Sequence, residues 1–569
     1  MPSSIKLAEY LFTRLRQLGV ESIHGVPGDY NLSLLDYVQP AGLRWVGNAN
    51  ELNAAYAADG YARIKGIGAV VTTFGVGELS AVNAIAGAYT EYAPVVHIVG
   101  IPSRVSEEKR LLIHHTFNDG EYRRFAAMHA HVTVAQECLR DPKTSADQID
   151  EVLKQCLLYS RPVYLEVPVD MVAKPLPADR LQTPISLPEG EPDEAQDEVL
   201  HNILDKIYSA KQPVIIVDGE TRPLGIRDSV QALIKSTKWP TWTTGFGKSL
   251  TEENLPNFHG IYKGNFDDPK THAFIQEADL VLFFGPHLSF TNTYGDSAIP
   301  KEGASILFTP KGIQIGKQTY HDVSCKYVTS RLVNDLDSAR IASYDPYPQL
   351  PRDSLLQISE KPPSEKLTQD GLWRILANLI QPGDIVLGET GTSGYGVKEM
   401  PLPLHTRLFT PVTWLSIGYM LPGAQGAALA QQELLESSNY HGLSTAKTIL
   451  FIGDGSFQMT AQEIATMVRH KLNVVIFLIN NDGYTIERAL HGKNQEYNDV
   501  TPWRYLEAPS FFGAKKGTYT GSAKTWQELK EVLEHEGLNN DTELRMVEIF
   551  LEREDCPKGP LSWFMDKQK

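Results

Sequence analysis

Thr448-Ile449-Leu450-Phe451-Ile452-Gly453-Asp454-Gly455, answered further on by Asn480-Asn481, is the stretch whose reading decides the fold. Thr448 to Ile452 is an apolar run of strand length, and Val474 to Ile479 is a second. Between them, Gln458 to His470 carries apolar residues at helical spacing. This order predicts two neighbouring parallel strands, buried on both faces. The glycines permit a sharp turn and a close approach of backbone to a ligand. Asp454 and Asn481 then stand at the carboxyl ends of successive strands, where open α/β sheets place their ligands. Their hard oxygens suit a magnesium ion whose shell a diphosphate completes. An Asp-Gly pair alone marks turns of every kind; the paired asparagines after the second strand give it meaning.

Working outward, a chain of 569 residues is too long for one core and calls for three or four units. A formal net charge of −16 argues against a nucleic-acid or anionic-membrane partner. The four cysteines, Cys138, Cys156, Cys325 and Cys556, form no CxxC pair, so neither a zinc knuckle nor a disulfide framework is expected. No apolar leader opens the sequence. The uncharged stretch from Leu408 to Gln432 contains Pro411, Pro422 and several polar residues, which argues against a spanning helix. The cytoplasm is the expected compartment.

Two stretches rich in proline and charge, Lys174 to Glu198 and Tyr344 to Lys366, read as linkers. The expected units are residues 1–185, 195–345 and 365–569. Ala69 to Thr73, Gly75-Val76-Gly77, Glu78 to Tyr89 and Val95 to Val99 repeat the strand–turn–helix–strand order of the opening stretch. The middle part has its own strands at Val214 to Val217 and Leu280 to Phe284. The predicted fold class is α/β: three doubly wound domains with mainly parallel sheets, the first and third alike. The turns at Gly75 and Gly453 do not complete GxGxxG, because Ser80 and Gln458 stand at the third position, so dinucleotide binding is a weak alternative.

Gly25-Val26-Pro27-Gly28-Asp29, Asn48-Ala49-Asn50-Glu51-Leu52-Asn53-Ala54, Thr73 to Ser80, His114-His115-Thr116 and Asp482 to Glu487 together resemble the motifs of thiamine-diphosphate-dependent 2-oxoacid decarboxylases, most closely the fungal pyruvate-decarboxylating group. The resemblance covers essentially the whole chain. It implies thiamine diphosphate and Mg2+ as cofactors, the metal held by Asp454, Asn481 and the Gly483 carbonyl. It implies that Glu51 bonds the aminopyrimidine ring, and that Asp29, His114, His115 and Glu487 handle protons. Neighbouring side chains seldom face one site, so one of the two histidines has a structural alternative. Ile417 would wedge the cofactor's two rings, and the Leu415 carbonyl would accept from its amino group, although relatives often have Gly at that position. Thr390, Thr392, Gly453, Gly455 and Ser456 would meet the diphosphate.

The implied reaction is non-oxidative decarboxylation of a 2-oxoacid through a C2 carbanion and an enamine, with pyruvate giving acetaldehyde and CO2. The implied partners are a small 2-oxoacid and further copies of the chain, a homodimer at least and commonly a homotetramer. Three departures leave a bulkier substrate open: Phe117-Asn118-Asp119-Gly120, Asn292-Thr293-Tyr294-Gly295-Asp296, and Gly394 at a position often filled by a larger residue. An acyloin- or acetolactate-forming carboligase and a catalytically silent thiamine-fold protein are further alternatives. Some fungal members carry a middle-domain cysteine implicated in substrate activation; here the segment reads Asp218-Gly219-Glu220-Thr221.

Overall fold

The computed structural model describes residues 4–188, 193–540 and 543–568. Its first sheet runs, in spatial order, Arg44–Trp45, Ser22–Gly25, Gly68–Thr73, Val95–Ile101, Val163–Pro168 and Gln136–Cys138, every neighbouring pair parallel. The last sheet runs Arg407–Phe409, Ile385–Gly388, Thr448–Gly453, Val474–Asn480, Arg545–Phe550 and Thr520–Ala523, again all parallel. Counted along the chain within each unit, the two permutations are identical, so the similarity read from two strands extends to the whole topology. The central strands are buried along nearly their full length, as continuous apolar runs covered by helices on both faces require.

Between these units lies a seven-stranded sheet. Phe258–Ile261, Thr241–Thr243, Pro213–Val217, Leu280–Phe284 and Ser305–Thr309 are parallel; Gly312–Ile315 and Gln318–Tyr320 close it antiparallel. The first expected linker, Lys174 to Glu198, is shorter than its composition indicates. Pro175–Pro177 pairs antiparallel with Ser4–Lys6, and a helix begins at Glu194. The pairing holds because Leu176 is buried between two exposed prolines on an edge strand, where a missing N–H costs nothing.

The first and last units meet through two helices, Glu51–Lys65 and Met420–Glu436. Their contact is backbone to backbone. A Cβ on Gly60 would lie 2.1 Å from the Gly423 carbonyl oxygen, and one on Gly426 would lie 1.8 Å from that of Ala57. One apolar cluster, including Ala58, Tyr61, Ala424 and Leu450, spans the seam. The stretch from Leu408 to Gln432 is part strand, part loop and part of this helix. Among the described residues no helix is long and apolar enough to cross a membrane.

Candidate active site

In each outer sheet the chain reverses its direction of winding between the first and third strands, and that switch point opens a crevice. In the last unit a cavity of about 470 Å³ fills it, a size suited to a cofactor. Thr390, Thr392, Leu415, Ile417, Gly453, Asp454, Gly455, Ser456, Asn481, Gly483 and Glu487 all line it. These are all the expected cofactor contacts except Glu51. Ser393, Tyr484, Ile486 and Leu490 line it too; Tyr484 and Ile486 lie within the Asp482 to Glu487 motif, but sequence reasoning assigns none of the four a role. The Thr390 and Ser393 hydroxyls are buried there without a hydrogen-bond partner, as groups awaiting a polar ligand are.

The oxygens at the far end of the cavity are arranged more tellingly. Asp454 is 2 % exposed and accepts from the N–H groups of Gly455 and Gly483, both at 2.9 Å. Turned one way, the Asn481 amide sets its oxygen 2.9 Å from the Gly483 carbonyl and 3.2 Å from Asp454 Oδ1; turned the other, its nitrogen donates to both. Metal–oxygen bonds of about 2.1 Å in an octahedron bring neighbouring oxygens to roughly 3 Å. The first orientation therefore fits three ligands of one small divalent cation. Burial pushes the Asp454 carboxyl up to about 6, only partly opposed by its two backbone donors. A buried carboxylate so short of positive charge is what a cation would satisfy.

The loop carrying Leu415 and Ile417 is held by the first unit. Glu91 Oε1 accepts from the N–H groups of Val412, Thr413 and Trp414 at 2.8, 3.1 and 3.3 Å, while its other oxygen meets Arg63 at 3.4 Å. Ser416, between the two cavity residues, accepts from Tyr56 at 2.7 Å. Leu415 adopts φ +54, the left-handed region where glycine is at ease. The sequence departure is thus absorbed as strain in the backbone, with Leu415 still on the cavity wall. Glu389, fully buried, ties the other wall: it accepts from Thr390 and Met420 N–H at 2.7 and 2.8 Å, and burial pushes it up to about 7. Sequence reasoning missed Glu91 as a support, since its loop partners lie about 320 positions away.

A second cluster occupies the matching switch point of the first unit. Asp29 follows the strand Ser22–Gly25 and hydrogen-bonds His114 Nε2. Tyr30 stacks on His114 with centroids 4.9 Å apart. His115 has φ +68, which turns the chain so that consecutive imidazoles share a site, their centroids 4.8 Å apart and their planes at 80°. The turn at Gly75 packs directly beneath: a Cβ there would lie 2.3 Å from the His115 carbonyl oxygen. Glu51 opens the helix Glu51–Lys65 behind an Asn50 cap, with its Oε1 3.1 Å from where a Gly77 Cβ would sit. Asp29, Glu51, His114 and His115 do not line the cavity of the last unit.

Gly394 does not widen the cavity. A side chain at that position would run into the Glu389 carbonyl at 2.9 Å and Thr410 Oγ1 at 3.0 Å. In the middle unit, Asp218 is buried and pushed up to about 6, with donors from Gly219 N (2.6 Å), His287 N (2.7 Å) and Asn292 Nδ2 (2.9 Å). Glu220 pairs with His287 at 2.8 Å. A carboxylate network thus occupies the segment where a regulatory thiol would sit. All four cysteines are unpaired, and burial raises each thiol. Thiol-blocking reagents are therefore expected to leave the dependence of rate on substrate concentration unchanged. Loss of activation after blocking would contradict this.

Three family models match the chain in order: the thiamine pyrophosphate enzyme N-terminal domain over residues 5–121, the central domain over 200–331 and the C-terminal domain over 390–539. The chain is 54% identical to a pyruvate decarboxylase of Aspergillus parasiticus, over 97% of this chain and 96% of that protein. It is 39% identical to pyruvate decarboxylase isozyme 1 of Saccharomyces cerevisiae, over 98% and 97%. Among solved structures, a Rhodococcus jostii thiamine diphosphate-dependent 4-hydroxybenzoylformate decarboxylase aligns with a TM-score of 0.75 at 18% identity, covering 98% of this chain and 100% of that one; this likeness shows the fold. Topology and full-length similarity agree: the chain belongs to the thiamine pyrophosphate enzymes, in the pyruvate decarboxylase family.

Proposed function

We propose that this protein decarboxylates a 2-oxoacid without oxidation, converting pyruvate to acetaldehyde and CO2. The observation that carries the reading is the presence, in one chain, of an oxygen-lined diphosphate crevice and an Asp-His-His proton-handling cluster at equivalent switch points. The relatives named pyruvate decarboxylase support the substrate.

Asp454, Asn481 Oδ1 and the Gly483 carbonyl would hold Mg2+, and Thr390, Thr392 and Ser456 hydroxyls with the Gly453 and Gly455 backbone would receive the diphosphate. Leu415 O and Glu51 would fix the aminopyrimidine, and Ile417 would support the rings from below. When bound, thiamine diphosphate supplies the carbon nucleophile and electron sink that side chains lack. The Glu51 carboxyl holds and moves a proton at the pyrimidine nitrogen. Asp29, His114, His115 and Glu487 hold the substrate carboxylate and then deliver a proton to the carbon that CO2 has left. Ile417, Ile486 and Leu490 keep water from that carbon.

Since Asp29, Glu51, His114 and His115 do not line the cavity of their own chain, two copies would complete the site, each cavity facing the other copy's cluster. A homodimer is the minimal unit and a homotetramer the expected assembly. Four free thiols fit a reducing, cytoplasmic setting.

Product analysis with a panel of 2-oxoacids, thiamine diphosphate and Mg2+ tests the reading. Acetaldehyde from pyruvate is expected, with kcat/KM at least about 10-fold above phenylpyruvate, indolepyruvate and branched-chain oxoacids; a missing or added methylene is worth roughly that. A reversed order would overturn pyruvate as substrate. An acyloin or acetolactate as main product would overturn proton delivery.

A further inference from the structure

Two divalent-cation environments of opposite character coexist in this chain. The Asp454 site offers oxygens alone, the preference of magnesium. The first-unit cluster offers two imidazoles and one carboxylate, and its ligand atoms all lie within 4.8 Å of one another. We propose that Asp29, His114 and His115 form a transition-metal site of the zinc class, and that a metal held there shuts down the protein by capturing its proton-handling groups.

Tetrahedral zinc bonds of about 2.0–2.1 Å place ligand atoms roughly 3.4 Å apart, so the widest pair need close by little more than about 1 Å, while the hydrogen-bonded Asp29 and His114 must part to admit the ion. Asp29 and His114 are each about half exposed, and rotation of their side chains supplies that movement. The backbone is already committed. Consecutive histidines ordinarily diverge, but φ +68 at His115 brings both rings to Asp29, and the Gly75 turn braces the bend. Tyr30 orients the first imidazole: its ring lies parallel to His114 at 12°, and its hydroxyl is 3.4 Å from Nδ1, leaving Nε2 towards Asp29. An outer partner on the second ring nitrogen is characteristic of metal-binding histidines. Two nitrogens and an oxygen suit zinc and reject magnesium. Among the described residues this is the one group of three such side chains. His405 and His441 stack at 4.2 Å but have no third ligand and serve as a control.

The full chain, with thiamine diphosphate and excess Mg2+, is titrated with Zn2+ by calorimetry and with Co2+ by visible absorption. One Zn2+ per chain is expected, with the ligand-field bands of a four-coordinate Co2+. Asp29→Asn and His114→Gln should each weaken binding at least about 10-fold, the loss that even outer partners cause; His441→Ala should leave it unchanged. Asp29→Asn preserves shape at a half-exposed turn, so its loss of binding cannot be ascribed to unfolding. Absence of stoichiometric binding, or binding unchanged in both cluster variants, overturns the site. The inhibition rests on the proposed decarboxylation: Zn2+ should abolish aldehyde formation, and chelation followed by Mg2+ should restore it. Zinc bound at the cluster with turnover unchanged overturns the shutdown, whereas zinc binding with no turnover in its absence would overturn the function and leave the site standing.

Discussion

A Glu51→Gln variant is expected to fold, to bind thiamine diphosphate and to lose at least about 100-fold in kcat, the usual scale of a positioned proton-transfer group. The substitution keeps size and leaves the helix start intact, since Asn50 rather than Glu51 caps the helix by accepting from Asn53 N–H at 2.8 Å. Glu51 sits in the first turn of a helix, where a negative charge contributes only about 0.3–1 kcal/mol, so a thermal melt should shift little. Loss of turnover without loss of stability is thus the signature of a carboxyl used for chemistry. Steady-state rates with pyruvate, together with the melt, decide it. Unchanged turnover would mean that the chain keeps this fold for some other purpose.

An Asp454→Ala variant should lose the crevice's hold on its metal and diphosphate. Binding of thiamine diphosphate in the presence of Mg2+ is expected to weaken by at least about 100-fold, beyond the 10–100-fold that outer partners cost. The pH dependence of the unmodified protein offers an independent check. The Asp454 carboxyl rises from 3.8 to about 6 on burial. The folded form then holds the proton more tightly than the unfolded chain. This stabilisation is complete below about pH 4 and lost as pH climbs through about 6, a difference on the order of 3 kcal/mol. Mg2+ and thiamine diphosphate should offset it, so their effect on the melting temperature should be larger at pH 7 than at pH 5, and the difference should vanish in Asp454→Ala. An equal shift at both pH values, measured in the unmodified protein, would exclude Asp454 as the cation's ligand.

The Asp454–Asn481 end of the last unit's crevice was legible because its parts are local, whereas Thr390, Thr392, Leu415 and Ile417 were assigned by resemblance. Apolar runs, glycine turns and the residues after them lie together in sequence, and strand ends converge wherever parallel strands neighbour one another. The repeat in the first unit was legible for the same reason. What escaped depends on distant partners. Glu91 follows an ordinary helix, and nothing near it announces that three N–H groups from Val412 to Trp414 will settle on its carboxylate. The bend at His115 escaped because nothing in the sequence marks a positive φ at a non-glycine residue; the structural alternative for one of the two histidines therefore stayed open. Pro175–Pro177 was taken as linker on composition, since an edge strand can be built from the residues that usually break strands. Gly394 was assigned to the pocket by resemblance, while a Cβ there would meet the Glu389 carbonyl and Thr410.

The glycine-to-carbonyl contacts between the helices Glu51–Lys65 and Met420–Glu436 carry a consequence for motion. At 2.1 and 1.8 Å from a would-be Cβ, neither backbone has slack to slide or tilt against the other. The two halves of a protomer must travel as a single block. Breathing is left to the margins of the two units, away from this helix pair.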